Sequence, residues 1–136
     1  MNLWGVVILA SYTVIADIGN AIVQLLREHL VPGIIVNTEN IGLCAPNDKG
    51  DIVLGVNLYD IRENQNIVLT DMLPKGTNQL KYPSTFFDLY YMITAYSASD
   101  IKFRSAEDHK ILGKVLQVLK DHPTFTAEQL GSELSN

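Results

Sequence analysis

The sequence predicts a two-layer α+β fold, with two main helices packed on one face of a mixed or antiparallel sheet of three to five strands. Three observations carry this expectation. Phe87, Leu89, Tyr91, Ile93 and Ala95 alternate with Phe86, Asp88, Tyr90, Met92, Thr94 and Tyr96, the period of two that marks a strand. Ile15, Ile18, Ile22, Leu25 and Leu26 recur at helical spacing, and so do Ile111, Leu112, Val115, Leu116 and Leu119. The third is size: 136 residues, 47% of them hydrophobic, make a single domain (1–136) able to bury a core without disulfides or metals.

Residues 1–11 open with an apolar run, Leu3-Trp4-Gly5-Val6-Val7-Ile8-Leu9-Ala10. It lacks the basic flank of a signal peptide, and Asp17 and Asn20 interrupt it before it could cross a bilayer. An extra strand or N-terminal arm is expected. Thr13 is placed to cap the first helix, with Asp17, Asn20, Gln24, Arg27 and Glu28 opposite the apolar stripe and Pro32-Gly33 as its stop. Gly33–Val36 reads as a short strand and Thr38–Gly50 as a loop ending in the turn signal Pro46-Asn47-Asp48-Lys49-Gly50.

From Asp51 the alternation returns, Ile52, Leu54, Val56 and Leu58 against Val53, Gly55, Asn57 and Tyr59. Residues 62–82 are polar apart from Ile67-Val68-Leu69, and are expected to form a long loop, hairpin or arm. After the aromatic strand, Ser105 and Asp108 have the spacing of a variant capping box for the second helix, which turns Lys110, Lys114, Gln117 and Lys120 to water and stops at Pro123. Thr126-Ala127-Glu128-Gln129 is placed to cap a short helix within the C-terminal segment 124–136.

The charge balance excludes some functions. A formal net charge of −5 lacks the clustered basic face that phosphate binding requires, so no nucleic-acid partner is expected. The single cysteine, Cys44, rules out an intrachain disulfide and a cysteine zinc cage, and is expected to serve as a small buried or half-buried hydrophobe.

Chemical motifs are equally scarce. His109 follows Glu107 and Asp108, but helix neighbours one and two apart do not share a face, which is poor metal geometry. His29 and His122 fall in the last turns of their helices, where a cationic imidazole suits the macrodipole. Asp48 and Asp51 flank a glycine turn without the rest of a calcium loop. No Gly-rich phosphate loop or Gly-x-Ser-x-Gly elbow exists. No catalytic residue, metal or cofactor is expected, and the chain does not read as an enzyme.

The composition points instead to contacts between proteins. Tyr59, Phe86, Tyr90, Met92 and Tyr96 on one sheet face exceed what a monomer ordinarily leaves in water. Either the long loop covers that face or another subunit does.

Four segments in order sharpen this: Tyr12-Thr13-Val14-Ile15-Ala16-Asp17; Val56-Asn57-Leu58-Tyr59-Asp60-Ile61-Arg62-Glu63-Asn64; the Phe87–Tyr96 strand; and His109-Lys110-Ile111-Leu112-Gly113-Lys114 continued to His122-Pro123. Over most of residues 12–123 the chain resembles the cap, or tail-terminator, proteins of extracellular contractile injection systems. The resemblance implies a tail-terminator-like fold and a homohexameric ring that closes a phage-tail-like particle, touching its inner tube and its sheath. It implies no cofactor, no membrane insertion, synthesis in the bacterial cytoplasm, and release only as part of the particle. On this reading Tyr59, Arg62, Asn64, Phe86, Tyr90, Met92 and Tyr96 are interface residues, and the arm at 62–82 reaches the sheath or a neighbour. The family runs on past the His-Pro step to a further strand, which leaves a truncated chain or a sheet completed by a neighbour as the expectation.

Two rivals have different signatures. A small-molecule-binding or regulatory α+β domain would line a pocket with the same aromatic face. An enzyme would need His29, His109 and Asp88 to converge.

Overall fold

The computed structural model describes residues 2–8, 12–65, 73–75, 79–81 and 85–130. Its elements are β1 (Asn2–Ile8), α1 (Val14–Leu30), a 3-10 turn (Thr38–Asn40), β2 (Ile41–Leu43), β3 (Leu54–Glu63), β4 (Leu73–Lys75), β5 (Gln79–Lys81), β6 (Phe86–Ala95), α2 (Ile101–Asp121) and α3 (Ala127–Leu130). The main sheet is mixed, in the order β1-β6-β3-β2; β2 runs parallel to β3, and the other pairs are antiparallel. β4 and β5 form a separate two-stranded ladder within the expected arm, most of which lies outside the described residues.

One core joins the layers. Leu54 and Val56 from β3 and Leu89, Tyr91 and Ile93 from β6 meet Ile22, Leu25, Leu26 and Leu30 from α1 and Ile111, Val115 and Val118 from α2. Both helices therefore use the same sheet face. The α+β expectation holds, and the N-terminal run supplies the edge strand β1, its backbone paired from Asn2↔Met92 to Ile8↔Phe86.

Several local expectations are corrected. Gly33–Val36 is turn and bend: the amides of Ile34 and Ile35 both donate to the Leu30 carbonyl, at 2.9 and 3.0 Å, so the chain wraps the helix end instead of joining a ladder. Only Ile35 of that stretch enters the core. The strand lies in the segment expected as loop, at Ile41–Leu43, where the flanking bonds Val53 N to Asn40 O (2.7 Å) and Cys44 N to Val56 O (3.1 Å) continue the pairing. β3 begins at Leu54 and not near Asp51, because Ile52 N closes a turn on Lys49 O at 2.9 Å. Gly50, with φ of +52°, sits in that turn in the left-handed region that glycine enters most easily.

The capping box at Ser105 and Asp108 is not used either. α2 starts a turn earlier, with Asp100 at the cap position, and Asp108 accepts from the Ser97 amide at 2.7 Å, tying the helix to the loop before it. Leu116, expected on the sheet face, is exposed, and Val118 takes the buried position. At α3 the expectation holds: Thr126 N donates to Gln129 Oε1 at 2.8 Å and Gln129 N to Thr126 Oγ1 at 3.3 Å, the reciprocal bonds of a capping box.

Candidate functional site

The face of the sheet away from the helices is where the interface residues were expected. Its geometry turns on a β-bulge. The β3/β6 register runs Asn57↔Met92, Leu58↔Tyr91, then Asp60↔Tyr90, which leaves Tyr59 as an inserted residue. An inserted residue reverses the alternation beyond it. Without the bulge Asp60 and Arg62 would fall on the core side with Leu58. With it, Asp60 stands opposite Tyr90 and Arg62 opposite Asp88, on the outer face.

The side chains there form a connected group. The rings of Tyr59 and Tyr90 lie 6.2 Å apart, tilted by 57°. The Arg62 guanidinium sits 5.2 Å over the Tyr90 ring and donates through Nε to Asp60 Oδ2 at 2.7 Å. That hydrogen bond, then the charge of Asp60, raises the Arg62 pKa above its ordinary value, and the bond holds the guanidinium beside the Tyr90 ring. Asn64 closes the end of the group: its amide donates to Phe86 O at 2.7 Å and its Nδ2 to Asp88 Oδ1 at 3.0 Å. Tyr59 is 46% exposed and Met92 36%, so part of this aromatic surface reaches water.

Tyr96 belongs to a different neighbourhood. Its hydroxyl donates to Pro46 O at 3.4 Å, Lys49 Nζ stands 5.3 Å over its ring, and its Cε2 would lie 3.5 Å from a Cβ at Gly55. The structure thus gathers Tyr59, Arg62, Asn64 and Tyr90, with Phe86 tied in through its carbonyl and Met92 two residues further along β6. It sets Tyr96 under the Lys49 turn. Asp60 and Asp88 join the group, and sequence reasoning did not include them as interface residues. An Asp-x-Arg pair on a strand is a usable signal, since residues two apart share a face.

Asp88 is on the outer sheet face, whereas His29 lies on α1 and His109 on α2, so these three do not share a face. Among the described residues no group of three or more His, Cys, Asp or Glu could hold a metal ion. Cys44 is half-buried, and burial, then Asp48, raises its pKa, which favours the unreactive thiol. An open cleft of about 850 Å³, lined by Ile34, Val36, Glu39, Asp51, Tyr96 and Glu107 among others, includes neither Tyr59 nor Tyr90. No described helix is long and apolar enough to cross a membrane.

Comparison with known proteins adds one finding. The profile of a family described as the Pvc16 N-terminal domain matches residues 17–136, which takes in α1 from Asp17 onward, β2 to β6, α2 and α3. No curated protein and no solved structure matches the chain.

Proposed function

Because the chain belongs to the Pvc16 N-terminal domain family, which is associated with contractile injection systems and phage-tail-like particles, we propose that it is the structural cap, or tail terminator, of such a particle. In this reading six copies close a ring on the last layer of inner tube and sheath. Tube and sheath grow by repeating one contact, so a terminator must satisfy the exposed layer while offering no new copy of it. Heterologous contacts that close into a ring present identical patches at every sixfold position. The protein acts by binding, without catalysis or cofactor, is made in the bacterial cytoplasm and leaves the cell only with the particle.

The observation that carries the reading onto particular residues is the exposed Tyr59–Tyr90–Arg62 group on the helix-free face of the sheet. Aromatic residues, methionine and arginine are the types enriched where protein surfaces meet, and an arginine held on a tyrosine by a carboxylate is already ordered before it meets a partner. The group belongs to the contact between neighbouring copies or to the contact with the tube. The described part of the 62–82 segment is assigned to the sheath or to a neighbour.

Negative-stain microscopy and light scattering of the purified full chain test this. A ring of six copies is expected. A chain that stays monomeric at all accessible concentrations, and does not cosediment with tube or sheath protein, sinks the proposal. Ligand-dependent melting of such a monomer would favour a small-molecule-binding domain instead.

A further inference from the structure

α1 and α2 end side by side. His29 lies in the last turn of α1, His122 is the C-cap residue of α2, and their rings meet with centroids 4.7 Å apart and planes inclined by 56°. Neither ring is used by the proposed ring assembly.

The chemistry of the pair is specific. His29 Nδ1 lies 2.9 Å from the carbonyl oxygen of Leu25. A carbonyl can only accept, so Nδ1 carries the proton and the neutral ring keeps its lone pair on Nε2. A backbone carbonyl that fixes the tautomer in this way is the usual outer partner of a metal-ligating histidine. Two helix C-termini also converge here, and each brings the partial negative charge of its terminal carbonyls. Of the charged side chains beside the pair in sequence, Arg27 is turned away onto Ile41 O and Glu28 accepts from Gln24 Nε2 at 3.3 Å, which leaves Lys120 and Asp121, one charge of each sign.

We propose that His29 and His122 form a surface site for a divalent transition metal ion of borderline softness, Zn²⁺ or Ni²⁺, with water completing the coordination shell. Imidazole suits these ions and not Ca²⁺ or Mg²⁺. Two imidazoles bound to one ion at ~2.0–2.1 Å hold their ring centroids on the order of 5 Å apart, which is the separation found here. The ligands come from different helices and meet only in the folded chain. A bound ion therefore clips the end of α1 to the end of α2 and stabilises the native state by mass action.

The test uses the untagged full chain, titrated calorimetrically with zinc chloride and separately with nickel chloride, with thermal unfolding followed in parallel. One ion per chain and a raised Tm are expected. His29→Gln and His122→Gln should each weaken binding by about tenfold or more, while His109→Gln and Cys44→Ala leave it unchanged. Acidification should release the ion, because an imidazolium has no lone pair to give. Circular dichroism establishes that the variants fold; should His29→Gln fail to fold, His122→Gln decides alone. Absence of binding up to millimolar ion, or unchanged affinity in His122→Gln, overturns the proposal.

Discussion

Arg27 reaches from the last turn of α1 to the edge of the sheet and donates to the carbonyl of Ile41 through both Nε and Nη2, at 3.1 and 2.7 Å. β2 is only three residues long, and Ile41 is fully buried. A charged donor on a backbone acceptor contributes about 1.5–3 kcal/mol, and here it fixes both the end of a helix and the start of an edge strand. Arg27→Ala should lower unfolding stability by about 2 kcal/mol, because the carbonyl loses its side-chain donor. Arg27→Lys should recover part of the loss, since one ammonium cannot reproduce the planar fork. Urea denaturation of the two variants checks this; equal stability of wild type and Arg27→Ala would remove Arg27 from the account of how β2 is held.

A second close approach joins Cys44, the residue after β2, to β3. A Cβ at Gly55 would stand 2.6 Å from Cys44 Sγ, closer than side chains tolerate, with Tyr96 Cε2 at 3.5 Å behind it. The contact is possible only because residue 55 has no side chain. Gly55→Ala should cost about 1–3 kcal/mol, the range for overpacking a filled site. Cys44→Ala in the same chain removes the obstructing sulfur, so the double variant should be more stable than the sum of the two single changes predicts. Strict additivity in a double-mutant cycle would show that the clash is relieved elsewhere.

How far these features could be read from sequence depends on what fixed each one. α1 and the core half of β6 follow from periodicity alone, because Ile22, Leu25 and Leu26 or Leu89, Tyr91 and Ile93 can be buried together in only one local geometry. β2 could not be read that way. Three residues with a central glycine carry no periodic signal, and their pairing depends on partners ten or more positions away in β3. The start of α2 was hidden for the opposite reason: Ile101 and Phe103 are exposed, 82% and 55%, so the first turn breaks the amphipathic pattern. The aromatic character of the outer face was legible as composition. Its arrangement was not, because one inserted residue at Tyr59 decides whether Asp60 and Arg62 face the tyrosines or the core.

Tyr91 offers a test of the core itself. The residue is 3% exposed, and its hydroxyl finds no hydrogen-bond partner among the described residues; a Cβ at Gly19 of α1 would lie 3.9 Å from it. An unsatisfied buried hydroxyl destabilises the fold, so Tyr91→Phe should be neutral or raise stability by about 1 kcal/mol. Burial also pushes the Tyr91 pKa from 10.0 up to about 12. Between those values the folded chain keeps a proton that the unfolded chain releases, so this contribution to stability is complete below pH 10 and is lost as the pH rises toward 12. Urea midpoints at pH 9 and pH 11.5 should therefore fall further for wild type than for Tyr91→Phe. Parallel losses would mean that Tyr91 ionises equally in both states.

The proposed ring contact can be separated from the fold. Tyr59 and Tyr90 make one tilted ring pair, and such a pair is worth about 0.5–1.5 kcal/mol beyond the area it buries, so Tyr59→Ser with Tyr90→Ser should leave a folded monomer with a modestly lower Tm. If the Tyr59–Tyr90–Arg62 group is the contact between copies, the same double change should abolish the ring on light scattering. Tyr96→Ser should not, because Tyr96 packs against the Pro46–Lys49 turn of its own chain. Asp60→Asn gives a finer reading. It removes the carboxylate that holds the Arg62 guanidinium over Tyr90 but keeps nearly the same shape, so it should weaken ring formation more at low salt than at high salt, where the ion pair is already screened. Three variants that all form the wild-type ring would move the contact off this face of the sheet while leaving the family assignment untouched.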